Sequence, residues 1–156
     1  MANRVAGGWH PIVARDGSRR ALGRGVPVED VRPLLHVCVT CRANRQLAVG
    51  EPPPGRLLFD ALARHMERAG APLRLCEITC LASCEQGCAA AISMPGKWSY
   101  LLGRLDAKQA ADLIAYGGAY AASENGTVWR SGRADSLRDA ILARVPGHGF
   151  AHQERA

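Results

Sequence analysis

At 156 residues the chain is long enough for one domain with tails and for a core that removes roughly 70% of the unfolded surface from water. Aromatics make up only 5% of it, so that core has to come from Leu, Ala, Val and Ile. The net charge of +6 is carried almost wholly by arginine, and no apolar run reaches the length of a membrane-spanning helix, which excludes a helical membrane protein.

Residues 1–32 contain many Gly, Arg and Pro without periodicity and are expected to form a basic tail, disordered or loosely docked. Six arginines fall there (Arg4, Arg15, Arg19, Arg20, Arg24, Arg32). A solvated tail is the reading preferred over a nucleic-acid patch, because no aromatic residues interleave the charges as a base-stacking surface would need. The same segment lacks the apolar stretch of a secretory signal. The expected compartment is therefore the cytoplasm, where thiols stay reduced.

Leu34 to Cys38 is a short apolar run and predicts a buried strand. A loop fixed by Pro52-Pro53-Pro54-Gly55 follows. Leu58, Ala61, Leu62, His65, Met66 and Ala69 recur at helical spacing, and Gly70 is a natural stop. Leu73 to Ile78 and Ala89 to Met94 predict a second and a third strand. Pro95-Gly96 turns the chain into a fourth strand, Trp98 to Leu102. Asp106 with Gln109 is a capping box that opens a helix reaching Ala115, or Ala122 if Gly117-Gly118 is tolerated. A last helix is expected over Leu137 to Arg144, N-capped by Ser136 and ended by Pro146. The order is β-α-β-β-β-α with one extra C-terminal helix, an α/β domain over 33–146 with a flexible tail at 147–156.

The six cysteines form two tight groups. Cys38 and Cys41 make a C-x-x-C pair, and Cys76, Cys80, Cys84 and Cys88 recur at every fourth residue. In a reducing compartment such grouping points to metal binding or redox chemistry rather than to a disulfide scaffold. If the first two strands are parallel neighbours joined by the helix, the loops that follow them leave the sheet at the same edge. Cys38 and Cys41 then meet Cys80 and Cys84. Four thiolates suit either a 2Fe–2S cluster or a tetrahedral zinc, and ligand softness does not separate the two.

The segment Cys80-Leu81-Ala82-Ser83-Cys84-Glu85-Gln86-Gly87, followed by a small apolar strand, a turn and Trp98-Ser99-Tyr100, resembles the thioredoxin-like 2Fe–2S ferredoxins and the related small subunit of respiratory NADH dehydrogenase. The stretch from His36 to Pro146 is similar to a family of bacterial predicted metal-binding proteins of that superfamily, whose members often sit beside cobalamin-pathway genes. The resemblance implies a thioredoxin-like fold, cluster ligands at Cys80 and Cys84 with the first pair at Cys38 and Cys41, and an association with cobalamin metabolism. This chain departs from the pattern in two places. The relatives space their first two cysteines more widely, and Cys88 stands where they often have proline. Cys76 and Cys88 thus exceed the four ligands needed. They read as buried structural thiols, with alternative ligation as the other reading.

Other residues have plainer readings. His36 shares a strand face with Cys38 and is expected to be a strand histidine rather than a ligand. His65 is expected in the core of the first helix, and His148 and His152 have no assigned role. Asp106 and Asp112 read as helix cap and helix surface. Arg42, Arg45 and Lys97 are the charges expected near a cluster. Trp98 and Tyr100 read as core rather than as an electron relay. A thioredoxin-type dithiol at Cys38 and Cys41 is disfavoured, because a proline-rich loop separates the pair from the helix and no proline precedes the third strand. With no nucleophile–base constellation, P-loop or Rossmann glycine pattern, an enzyme is not expected. The expectation is a 2Fe–2S electron-transfer protein that serves an unidentified redox partner. Relatives of this fold pair as homodimers, and neither membrane nor nucleic acid is an expected partner. The alternatives are a zinc-stabilised binding module, with Zn2+ on the same four cysteines, and a metallochaperone or metal sensor.

Overall fold

The computed structural model describes residues 32–69 and 72–149. The expected tail over 1–32 falls outside it apart from Arg32, as do the helix stop Gly70, His152 and all of the C-terminal tail beyond Gly149. The described chain forms strand β1 (Leu34–Cys38), helix α1 (Pro54–Ala69), strands β2 (Arg74–Ile78), β3 (Cys88–Ser93) and β4 (Trp98–Leu105), helix α2 (Ala110–Ala122) and strand β5 (Ile141–Pro146). The strands make one sheet in the order β2-β1-β3-β4-β5. β1 runs parallel to β2, and every other neighbouring pair is antiparallel. This is the α/β, thioredoxin-like β-α-β-β-β-α arrangement read from the sequence.

Strand alternation builds the core. Leu35, Val37, Ala90, Ile92, Tyr100 and Leu102 are buried together with Leu58 and Leu62 of α1 and Leu113 and Tyr120 of α2. Each such leucine contributes about 1.5–3 kcal/mol by leaving water. The few aromatics are spent here: Tyr100 and Tyr120 meet edge to face at 6.2 Å, and the Tyr120 hydroxyl donates to the Trp98 carbonyl at 2.8 Å. Trp98 itself is half-buried, beneath the Arg144 guanidinium at 4.6 Å.

Asp106 and Gln109 form the predicted capping box, on a 3-10 turn over Ala107–Gln109 that leads directly into α2. The Asp106 carboxylate accepts the Lys108 amide at 2.7 Å, and the Gln109 side chain accepts the Asp106 amide at 2.7 Å. The helix passes through Gly117 because only glycine fits there: a β-carbon would lie 2.3 Å from a methyl of Leu73. No helix among the described residues is long and apolar enough to cross a membrane.

Three expectations are corrected. The last helix is absent: Asp135–Leu137 makes a single 3-10 turn, and Ile141–Pro146 pairs antiparallel with β4 as β5. Ser136 and Pro146 are sound helix signals locally, but the outer edge of the eight-residue β4 takes the segment as a strand. His65 is exposed rather than core. The side of α1 that packs inward in its later turns carries Met66, and His65 beside it faces out. Lys97 lies after the β3 end opposite Cys88, far from the cysteines. Its ammonium donates to the carbonyls of Ala121 at 2.6 Å and Ser123 at 2.5 Å and caps the end of α2.

Lys97→Met should therefore lower stability by about 1–3 kcal/mol in urea unfolding, because buried carbonyls lose a charged donor. An unchanged midpoint would contradict this capping role.

Candidate metal centre

Parallel pairing fixes where the cysteines go. Cys38 ends β1 opposite Ile78, which ends β2, so both following loops leave the sheet at one end. Those loops line a pocket of about 460 Å³ with Cys38, Cys41, Cys80 and Cys84. The four cysteines read from the sequence are thus brought to one place. The first pair is buried and the second exposed.

Helix α1 locks the first pair. The Gly55 amide donates to the Cys41 carbonyl at 3.0 Å. A β-carbon on Gly55 would lie 2.0 Å from the Cys38 carbonyl oxygen and 3.1 Å from the Cys41 β-carbon. The proline-rich loop therefore separates the C-x-x-C turn from the helix only along the chain; in space the helix start lies against it. Gly55 is a site residue that spacing alone did not reveal, and the glycine directly after three prolines was its only signal.

The thiols of this pair are held by carbonyls. Cys38 donates to the Thr79 oxygen at 3.3 Å, and Cys41 donates to the Gly87 oxygen at 3.0 Å. The Thr40 hydroxyl shares the Thr79 acceptor. Cys80 instead accepts the Ala82 amide at 3.2 Å. Ala82 makes this contact from a left-handed backbone with φ of 53°.

Thiol–thiol repulsion is evident at Cys84. The charge of Cys80 raises its pKa first and burial second, and Cys41 and Cys38 add in the same direction. A bound cation would reverse that effect by holding all four as thiolates. Among the described residues, no three His, Cys, Asp or Glu side chains converge to the spacing of a single-ion site. The four thiols line one pocket.

The two further thiols have separate fates. Cys88 is fully buried at the start of β3 and belongs to the apolar core. Burial pushes its pKa up to about 12, and the neighbouring Cys41 adds in the same direction. Cys76 sits half-buried on β2 directly opposite His36 and is not among the pocket-lining thiols. Arg42 and Arg45 line the pocket as expected, and Arg45 is paired with Glu51 at 2.6 Å. Thr40, Asn44 and Gln46 complete the wall. No sequence pattern pointed to these three, because the irregular loop that carries them has no periodicity.

Fold and site together define a small α/β protein, thioredoxin-like in arrangement, with a thiol-lined pocket at one end of its sheet. Residues 35–147 match the family model DUF1636, a protein of unknown function, and the chain belongs to that family. No curated protein and no solved structure matches the chain.

The buried Cys88 thiol gives a pH prediction. Its proton stays on in the folded chain where an unfolded thiol would release it. Stability of the metal-free protein should therefore fall as pH rises from about 9 toward 12. Cys88→Ala should make that fall shallower between about pH 9 and 10, read as urea midpoints. A wild-type slope in the variant would contradict the buried placement.

Proposed function

We propose that the chain is a metal-cluster protein in which Cys38, Cys41, Cys80 and Cys84 hold a 2Fe–2S cluster, and that it carries electrons rather than catalysing a reaction. The observation behind this is the ring of four thiols, supplied as two pairs by two loops, around one pocket. A 2Fe–2S cluster takes one pair on each of its two irons, in keeping with thiols supplied as two pairs by two loops. When bound, such a cluster would supply a one-electron couple.

The protein's own residues have distinct parts in this reading. Cys38 and Cys41 anchor the buried side, fixed from behind by Gly55 and the start of α1. Cys80 and Cys84 form the exposed side, with the Ala82 amide offsetting negative charge on Cys80. Arg42 and Arg45 place positive charge on the pocket wall against four thiolates.

Protein purified without oxygen should be brown and contain iron and acid-labile sulfide in equal amounts. Cys84→Ala should lose most of the visible absorption and iron while keeping its fold, because Cys84 is exposed. A variant with full absorption and iron would remove Cys84 from the ligand set. Colourless protein with one zinc would replace the electron-carrier reading with a zinc-stabilised module on the same four cysteines.

A further inference from the structure

All six cysteines are free, and of these only Cys80 and Cys84 are exposed. The turn that carries the exposed pair is tightly folded. The Ala82 amide donates to the Cys80 sulfur at 3.2 Å, the Ser83 hydroxyl to the Leu81 carbonyl at 3.2 Å, and the Gln86 amide to the Ser83 carbonyl at 2.9 Å. The left-handed backbone of Ala82 bends the chain between the two cysteines, and Cys84 opens a 3-10 turn over Cys84–Gln86. Cys80 is accordingly the neighbour that acts most strongly on Cys84, ahead of Cys41 and Cys38.

The other thiols are buried or remote. Cys38 and Cys41 are buried and donate to the Thr79 and Gly87 carbonyls. Cys88 is fully buried, and Cys76 lies on β2 away from the pocket. A small reagent in solvent therefore meets Cys80 or Cys84 first, and whichever it modifies has the other beside it. Thiols placed in this way exchange with a disulfide through a mixed-disulfide intermediate. The fold has already closed the short loop between them, so little chain entropy opposes the bond.

We infer that Cys80 and Cys84 form a redox switch: a small-molecule disulfide converts them to a Cys80–Cys84 disulfide that shuts the metal site, and reduction reopens it. One cysteine loses its proton to solvent, and its sulfur attacks the small disulfide. A mixed disulfide forms and the first small thiolate leaves. The second cysteine, giving up its own proton, attacks the protein sulfur of that mixed disulfide and releases the second small thiolate. Two cysteine thiols are oxidised by two electrons in all, and the small disulfide is reduced to two thiols.

The consequence for metal rests on the four-cysteine site proposed above; the disulfide itself does not. Its formation removes both exposed ligands and leaves Cys38 and Cys41, too few for a cluster or a tetrahedral zinc. In the loaded protein the same sulfurs are metal ligands and are protected from exchange.

The test incubates the full chain, reduced and freed of metal, with glutathione disulfide, then alkylates the remaining thiols and maps peptides by mass spectrometry. The Cys80–Cys84 disulfide should be the main product, and Cys76→Ser should form it as fully as the unaltered chain. Cys84→Ser should stop at a glutathione adduct on Cys80, and Cys80→Ser at an adduct on Cys84. With zinc as the probe and a chromophoric chelator as competitor, oxidised protein should bind about tenfold or more weaker than reduced protein, and a phosphine reductant should restore binding. A main disulfide between any other two cysteines, or adducts that never close in the unaltered chain, would overturn the inference. Closure that leaves zinc binding unchanged would overturn the switch and take Cys80 and Cys84 out of the ligand set, which separates failure of the bond from failure of the metal site.

Discussion

Parallel pairing of β1 with β2 is the constraint from which the site follows. Two strands that run the same way need a crossover between them, and α1 supplies it. Their ends then fall side by side, Cys38 against Ile78, and the loops after them share one edge of the sheet. Two cysteine pairs that lie 39 positions apart at their nearest, from Cys41 to Cys80, reach one pocket as a result. A one-residue slip would turn every alternating side chain of β2 to the opposite face. The same register sets Leu34 against Arg74 at the other end of the pair.

The two sides of the thiol ring are held differently. The buried side is pinned by backbone: Gly55 allows α1 to touch the Cys38 carbonyl, and the Thr79 and Gly87 carbonyls take the two thiol protons. The exposed side has a single amide donor on Cys80 and mutual repulsion at Cys84. A cation that ionises the ring must displace the carbonyl contacts, so binding is coupled to small rotations of Cys38 and Cys41 and releases protons. Cys88 beneath Cys41 keeps its proton because it is fully buried.

What could be read from the sequence was what local chemistry decides. The apolar run at Leu34–Cys38 gave β1 with its observed bounds, and Asp106 with Gln109 formed the predicted capping box. Pairing of the cysteine loops was legible because a helix-spaced segment between two apolar runs implies a parallel crossover. Non-local decisions were not legible. Ser136 and Pro146 bracket a plausible helix, yet the free edge of β4 made β5 of the segment. His65 fits the apolar stripe, but at that turn Met66 is the residue that packs inward. The Gly55 contact depends on where α1 lands and has no signal beyond the glycine itself.

The most direct measurement is of thiol reactivity, by alkylation and peptide mass spectrometry, on metal-free and metal-loaded protein. The account predicts that Cys80 and Cys84 react readily without metal, since both are exposed, and become protected on loading. Cys76, outside the pocket, should keep the same reactivity in both states. Protection of Cys76, or continued reaction of Cys80 and Cys84 in loaded protein, would contradict the four-cysteine site.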